Sequence, residues 1–182
     1  MNWDGAVLLW IQNVLRGGGL DSLMTAFTHL GDSGVLFLVA AIGMLCFPRT
    51  RRAGQVALTA IVIGFLCTNV VLKHLVSRPR PWLDVAGLIP LIEEADPNSF
   101  PSGHTCAAFA FAGAALCTLP VRWGKALALG AAVLMGLSRL YVGVHYPTDV
   151  LAGAAVGLLA GWIAVLLWKR PAPKEKGQAE RR

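Results

Sequence analysis

Apolar residues run along this chain in long blocks separated by short polar gaps. Ser33 to Phe47 is one block, worth roughly 22 Å of helix and therefore short for the ~30 Å apolar core of a bilayer. Extending the same helix back to about Leu20 lengthens it and brings His29 and Asp32 to the interface, and the start stays open between these two readings. A second block covers Ala53 to Val76, with Lys73 and His74 at its far end. A polar stretch over residues 77–101 follows, holding Pro79, Pro81, Pro90, Pro97 and Pro101. Three more blocks run from Ser102 to just before Pro120, from Trp123 to Leu140, and from Pro147 to Trp168. The pattern predicts an all-α fold, a polytopic helical membrane bundle of about five to six transmembrane helices.

Three regions are expected. Residues 1–30 read as an amphipathic helical segment at the membrane interface, without the positive n-region and small-residue cleavage site of a signal peptide. Residues 31–169 form the membrane domain, and residues 170–182 a charged, basic tail. Composition agrees: 55% of residues are hydrophobic and 14% charged, against about 25% charged in soluble domains. That excludes a disordered chain, a collagen-like repeat and most soluble folds. Cys46, Cys67, Cys106 and Cys117 all fall in apolar segments without zinc-ligand spacing, so they are expected to be inert buried thiols.

The net charge of +6 does not come from a basic stripe interleaved with aromatics, so no nucleic-acid partner is expected. Most lysines and arginines fall instead on one side of a five-span threading. Arg49, Arg51 and Arg52 follow the first span, Arg122 and Lys125 the third, and Lys169 with the tail the fifth. The positive-inside rule makes that side cytoplasmic. Lys73, Arg78, Arg80 and Arg139 lie on the opposite side, where topology disfavours cations, and their presence there points to an anionic ligand.

Three segments meet on that outer side: Lys73 to Pro81, Pro101 to Thr105, and Ser138 to Asp149. Their residue types suit a phosphate. Arg80 and Arg139 offer forked donors and Lys73 a point charge. Ser102 and Gly103 fall where a helix starts, so their backbone N–H groups and the dipole favour an anion. His145 and Asp149 are four apart at another helix start, a spacing that lets the carboxylate hold one imidazole nitrogen and leave the other free to attack phosphorus. His104 faces the phosphate from a different helix as a candidate general acid.

These segments, K-x6-R-P over Lys73 to Pro81, P-S-G-H over Pro101 to His104 and S-R-x5-H-x3-D over Ser138 to Asp149, resemble the three signature motifs of the type-2 phosphatidic acid phosphatase superfamily. The resemblance spans about residues 53–169 and implies a histidine-phosphatase core. It implies that His145 is the nucleophile, that Asp149 orients and polarises it, and that His104 protonates the leaving oxygen and later activates water. It implies that Lys73, Arg80, Ser102, Gly103 and Arg139 bind the phosphate. It also implies metal-independent chemistry with no cofactor. Of the two Arg-Pro pairs, the six-residue spacer selects Arg80 and leaves Arg78 as a supporting or headgroup contact.

The implied activity is removal of phosphate from a membrane lipid, at the outer face of a bacterial cytoplasmic membrane with the C-terminus inside. The small size and five-span pattern resemble bacterial undecaprenyl-diphosphate phosphatases. Phosphatidylglycerophosphate or phosphatidic acid hydrolysis, and transfer of the phosphoryl group to an acceptor hydroxyl, remain alternatives with the same site. Other features take plainer readings: Trp82, Trp123 and Trp168 as interfacial belt anchors, His29 and His74 as interfacial or structural. Glu93, Glu94 and Asp96 read as a solvated acidic patch, and Gly153, Gly157 and Gly161 as a close-packing stripe within the bundle.

Overall fold

The structure, a computed structural model, describes residues 3–169. The basic tail expected at 170–182 lies outside the described residues. Helix α1 (Trp3–Trp10) runs on through a π-helical turn to Leu15. After it come α2 (Gly18–Leu30) and α3 (Val35–Leu45), then α4 (Arg51–Phe65), which continues through a π-helical segment, Leu66–Leu72, to Val76. The short α5 (Pro81–Asp84) starts on proline and precedes the long polar loop. Last come α6 (Gly103–Thr118), α7 (Arg122–Tyr141) and α8 (Pro147–Leu167).

The described chain is helical throughout its regular structure, as the apolar blocks predicted. By length and apolarity, α4 with its extension (26 residues) and α8 (21 residues) are able to cross a bilayer. A third crossing exists if α2 and α3 count as one span bent by 48°, which is the longer reading of the first apolar block. The remaining expected spans are less clear-cut. Helix α6 is apolar but only 16 residues long, and α7 carries Arg122, Lys125 and Arg139. Large apolar side chains such as Val39, Ile42, Val62, Leu127, Leu151 and Trp162 turn outward, the inverse of a water-facing surface and what lipid requires.

Helices α6 and α8 form the axis of the bundle, with α4 packed against both. The interior is built largely from alanine, including Ala57, Ala60, Ala110, Ala114, Ala160 and Ala164, with Phe37 and Phe111 in tilted contact at 5.7 Å. The glycine stripe of α8 explains how close α6 comes. A Cβ on Gly157 would lie 2.4 Å from the Cys106 carbonyl oxygen, and one on Gly153 2.5 Å from that of Ser102. Only hydrogen fits at either position, so the stripe packs within the bundle, as the sequence suggested.

The cysteines correct an expectation. Cys106 is buried, but Cys46, Cys67 and Cys117 are exposed on the outside of the bundle. An apolar segment in a membrane bundle has an outer face, so an apolar neighbourhood does not imply an interior position. Trp123 and Trp168 do sit exposed at helix ends, Trp168 donating to Thr59 Oγ1 at 3.0 Å. Trp82 instead lies under the Arg80 guanidinium, 5.8 Å from its ring centroid.

Candidate active site

Chain direction gathers the three motifs at one end of the bundle: α4 ends there, α6 begins, α7 ends and α8 begins. Each start is locally encoded. Ser102 caps α6, its Oγ accepting from the Thr105 amide at 3.4 Å and the Thr105 hydroxyl at 2.9 Å. Pro147 opens α8, and the Tyr146 amide donates to Asp149 Oδ2 at 2.8 Å across that helix start. The loop preceding α6 is tied back to the Arg-Pro segment. The Ser99 amide donates to the Arg78 carbonyl at 2.8 Å and its hydroxyl to the Pro79 carbonyl at 2.9 Å.

A cavity of about 230 Å³ opens at this end, lined by Lys73, Arg80, Gly103, His104 and His145, with Asn69 and Glu94 also at its wall. His145 is 2% exposed. Its Nδ1 lies 2.7 Å from the Ser99 carbonyl oxygen and its Nε2 3.1 Å from Arg80 Nη1. A carbonyl only accepts and a guanidinium only donates, so the neighbours fix the neutral tautomer with hydrogen on Nδ1. The Nε2 lone pair then accepts from Arg80. Burial, followed by the positive charges of Arg139 and Arg80, pushes the His145 pKa well below the ordinary imidazole value.

Asp149 departs from its expected part. Its nearer oxygen is 3.7 Å from His145 Nδ1, beyond a hydrogen bond. One carboxylate oxygen is taken by the Tyr146 amide and the other by Arg78 Nη1 at 2.7 Å, so the Ser99 carbonyl holds the imidazole instead. Asp149 remains a fully buried negative charge behind His145 and favours any imidazolium that forms. Arg78 supports it, donating also to Asp4 Oδ2 at 2.9 Å and stacking 3.7 Å over the Tyr146 ring.

Ser102 also differs from expectation. Its backbone N–H donates to the Asp149 carbonyl at 3.1 Å and its side chain is turned inward as the cap of α6. Among the described residues, that leaves the Gly103 and His104 amides as the uncapped donors of the first turn.

Arg80 and Arg139 are both buried, Arg80 donating from Nε to the Asp96 carbonyl at 2.9 Å and Arg139 from Nη1 to Thr28 Oγ1 at 2.8 Å. Arg139 Nε is a buried donor without an acceptor among the described residues.

Two of the three acids expected as a solvated patch in the long loop are drawn into ion pairs instead, while Glu93 is exposed. Glu94 is ion-paired to Arg139 and lies 3.6 Å from Arg80 Nη2, and Asp96 is ion-paired to Lys73. Burial alone would raise the Asp96 carboxyl, but Lys73, the Asn98 amide and Arg80 hold it below the usual carboxylate range. The loop folds over a cluster of cations, and its carboxylates sit where opposite charge is concentrated. Asp4 and Asp32 complete the set that sequence reasoning did not find. Asp4 is buried against Arg78 and Thr148, and Asp32 Oδ1 lies 3.0 Å from His104 Nε2.

The sequence profile of the PAP2 superfamily matches residues 53–172, which include all three motifs. The chain belongs to this superfamily. An undecaprenyl-diphosphatase of Sulfolobus acidocaldarius is 35% identical over 147 residues, covering 81% of this chain and 68% of that protein. The crystal structure of LpxE from Aquifex aeolicus superimposes with a TM-score of 0.79 at 29% identity, covering 91% of this chain and 96% of the other. A transmembrane PAP2-type phosphatidylglycerolphosphate phosphatase of Bacillus subtilis gives a TM-score of 0.73 at 32% identity, covering 91% of this chain and 84% of that one. PAP2 proteins are phosphatases, and this chain is a PAP2 phosphatase of the membrane lipid phosphatase kind.

Proposed function

We propose that this protein hydrolyses a lipid diphosphate, undecaprenyl diphosphate foremost, through a phosphohistidine on His145. The observation that carries the reading is the neutral His145 with hydrogen on Nδ1 and its Nε2 beside Arg80 in a cation-lined cavity. Nε2 attacks the terminal phosphorus while Lys73, Arg80, Arg139 and the first-turn amides of Gly103 and His104 neutralise the equatorial oxygens. Ser102 contributes by holding that first turn in place. The transferring group carries most of its charge on those oxygens, so fixed cations supply much of what the reaction requires. Asp149 stabilises the positive ring that results, and His104 gives its proton to the departing oxygen. Water, losing its proton to His104, then releases phosphate and restores His145.

On this reading five spans thread the membrane, α2 with α3, then α4, α6, α7 and α8, with residues 1–30 at the interface and 31–169 as the phosphatase domain. The active site faces outward and the basic C-terminus the cytoplasm, which the concentration of Arg49, Arg51, Arg52, Arg122, Lys125 and Lys169 at the opposite end supports. The chemistry draws on side chains and backbone amides alone, without a metal. The similarity to an undecaprenyl-diphosphatase supports the substrate. The deciding experiment offers undecaprenyl diphosphate, phosphatidylglycerophosphate and phosphatidic acid to purified wild type and His145→Ala in detergent with excess EDTA. EDTA-resistant phosphate release, fastest from undecaprenyl diphosphate and lost in the variant, is expected. Fastest release from phosphatidylglycerophosphate would reassign the substrate, and release that persists in His145→Ala would overturn the mechanism.

A further inference from the structure

Asp32 stands at the break between α2 and α3, outside every motif, and each of its carboxylate oxygens holds a histidine. Oδ1 lies 3.0 Å from His104 Nε2 and Oδ2 2.9 Å from His29 Nδ1. The backbone is bent to make that reach. Ser33 adopts φ 53°, a left-handed conformation rare for a residue with a side chain, and Gly34 follows at φ 73°. Gly34 faces α6 one turn beyond His104, where a Cβ would lie 3.3 Å from Ala107 Cβ. Unfavourable backbone of this kind persists where the surroundings impose it, and it gathers at functional sites. Here it delivers one carboxylate to the imidazole that borders the cavity.

We propose that Asp32 is a positioning residue for the phosphatase reaction, setting His104 as its general acid. The inference rests on the phosphohistidine reading above. With Nε2–H directed at the carboxylate, Nδ1 is left to carry the transferable proton, the same division of labour by which a carboxylate orients a catalytic histidine elsewhere. His145 Nε2 forms the new bond to phosphorus. The bond from the terminal phosphorus to the bridging oxygen breaks with its electron pair on that oxygen, which departs as part of the lipid monophosphate and takes the Nδ1 proton. The charge lost from His104 in that step is one that Asp32 has stabilised against the cations Lys73 and Arg80 facing the same cavity. His29 keeps the second carboxylate oxygen occupied and so limits rotation of the Asp32 side chain.

The test separates help to the leaving group from mere support of the fold. Dodecyl phosphate and its bridging-sulfur analogue have nearly the same shape, but a thiolate departs without a proton. Their kcat/KM, which reports events up to departure of the leaving group, would be measured for wild type, Asp32→Asn, His104→Ala, the double variant and His145→Ala. Asp32→Asn is expected to lose about 10- to 100-fold on the oxygen ester and to stay within about two-fold of wild type on the sulfur ester. In the His104→Ala background it is expected to cost nothing more. Equal losses on both esters, no loss on either, or a further loss in the His104→Ala background would each overturn the assignment of Asp32. Activity surviving in His145→Ala, or no release from either ester by wild type, would instead overturn the phosphohistidine reading beneath it.

Discussion

His145 donates from Nδ1 to the carbonyl oxygen of Ser99 at 2.7 Å, while the Asp149 carboxylate stands 3.7 Å away. The imidazole is therefore held by the backbone of the loop preceding α6, and the carboxylate acts on it through its field. Both arrangements fix the same tautomer, but they divide orientation and charge between different parts of the chain.

A first expectation concerns protonation. Because burial and then Arg139 and Arg80 disfavour the charged ring, His145 should remain neutral with hydrogen on Nδ1 at pH 6, where an ordinary histidine is mostly protonated. Nitrogen-15 NMR of histidine-labelled protein, assigned with His145→Ala, reads this directly. A doubly protonated ring at pH 6 would contradict it.

Glu94 pairs with Arg139 and approaches Arg80, two of the cations expected to hold phosphate. Glu94→Gln should remove a competing negative charge and tighten inhibition by inorganic phosphate about ten-fold, which corresponds to about 1.4 kcal/mol. The inhibition constant in detergent is the measurement, and an unchanged value would show that Glu94 does not contest the anion site.

Arg78 lies between two buried carboxylates, Asp149 and Asp4. Arg78→Met strands both, and breaking a buried pair on one side costs about 3–5 kcal/mol. A clear fall in the unfolding temperature and in phosphatase activity is expected. Adding Asp4→Asn should recover part of the stability but not the activity, because Asp149 still lacks its partner.

The α6–α8 contact has no room for a side chain. Gly157→Ala would place a methyl group 2.4 Å from the Cys106 carbonyl oxygen and should destabilise the protein by about 1–3 kcal/mol. Gly130→Ala, on α7 with nothing within 4 Å, is the matched control and should leave the unfolding temperature unchanged or slightly raised.

What the sequence disclosed follows the range over which each signal acts. Pro101 to His104 and Ser138 to Asp149 are contiguous, and apolar blocks mark helices by their length, so motifs and elements were legible together. Asp4, Asp32 and Glu94 reach the site only through tertiary folding, and nothing in their spacing ties them to it. The Ser99 carbonyl carries no side-chain signature at all. Ser102 shows a signal that was present and outweighed: a serine at a helix start with Thr105 three residues on is an N-cap pattern, and the structure uses it as one. The crowding of cations likewise predicted a bound anion, and in the structure the chain's own Glu94 and Asp96 take up part of that demand.

The hydrogen bond from His145 to Ser99 also bears on the order in which the enzyme matures. Its acceptor precedes the third-last helix and its donor precedes the last, so the His145 imidazole has no fixed orientation until the final helix has entered the bundle. A chain halted during synthesis at the end of α7 holds Lys73, Arg80 and the first turn of α6 but neither His145 nor Asp149. On the phosphohistidine reading such a chain would attract phosphate without cleaving it, and phosphatase activity would appear in one step, at the completion of membrane insertion.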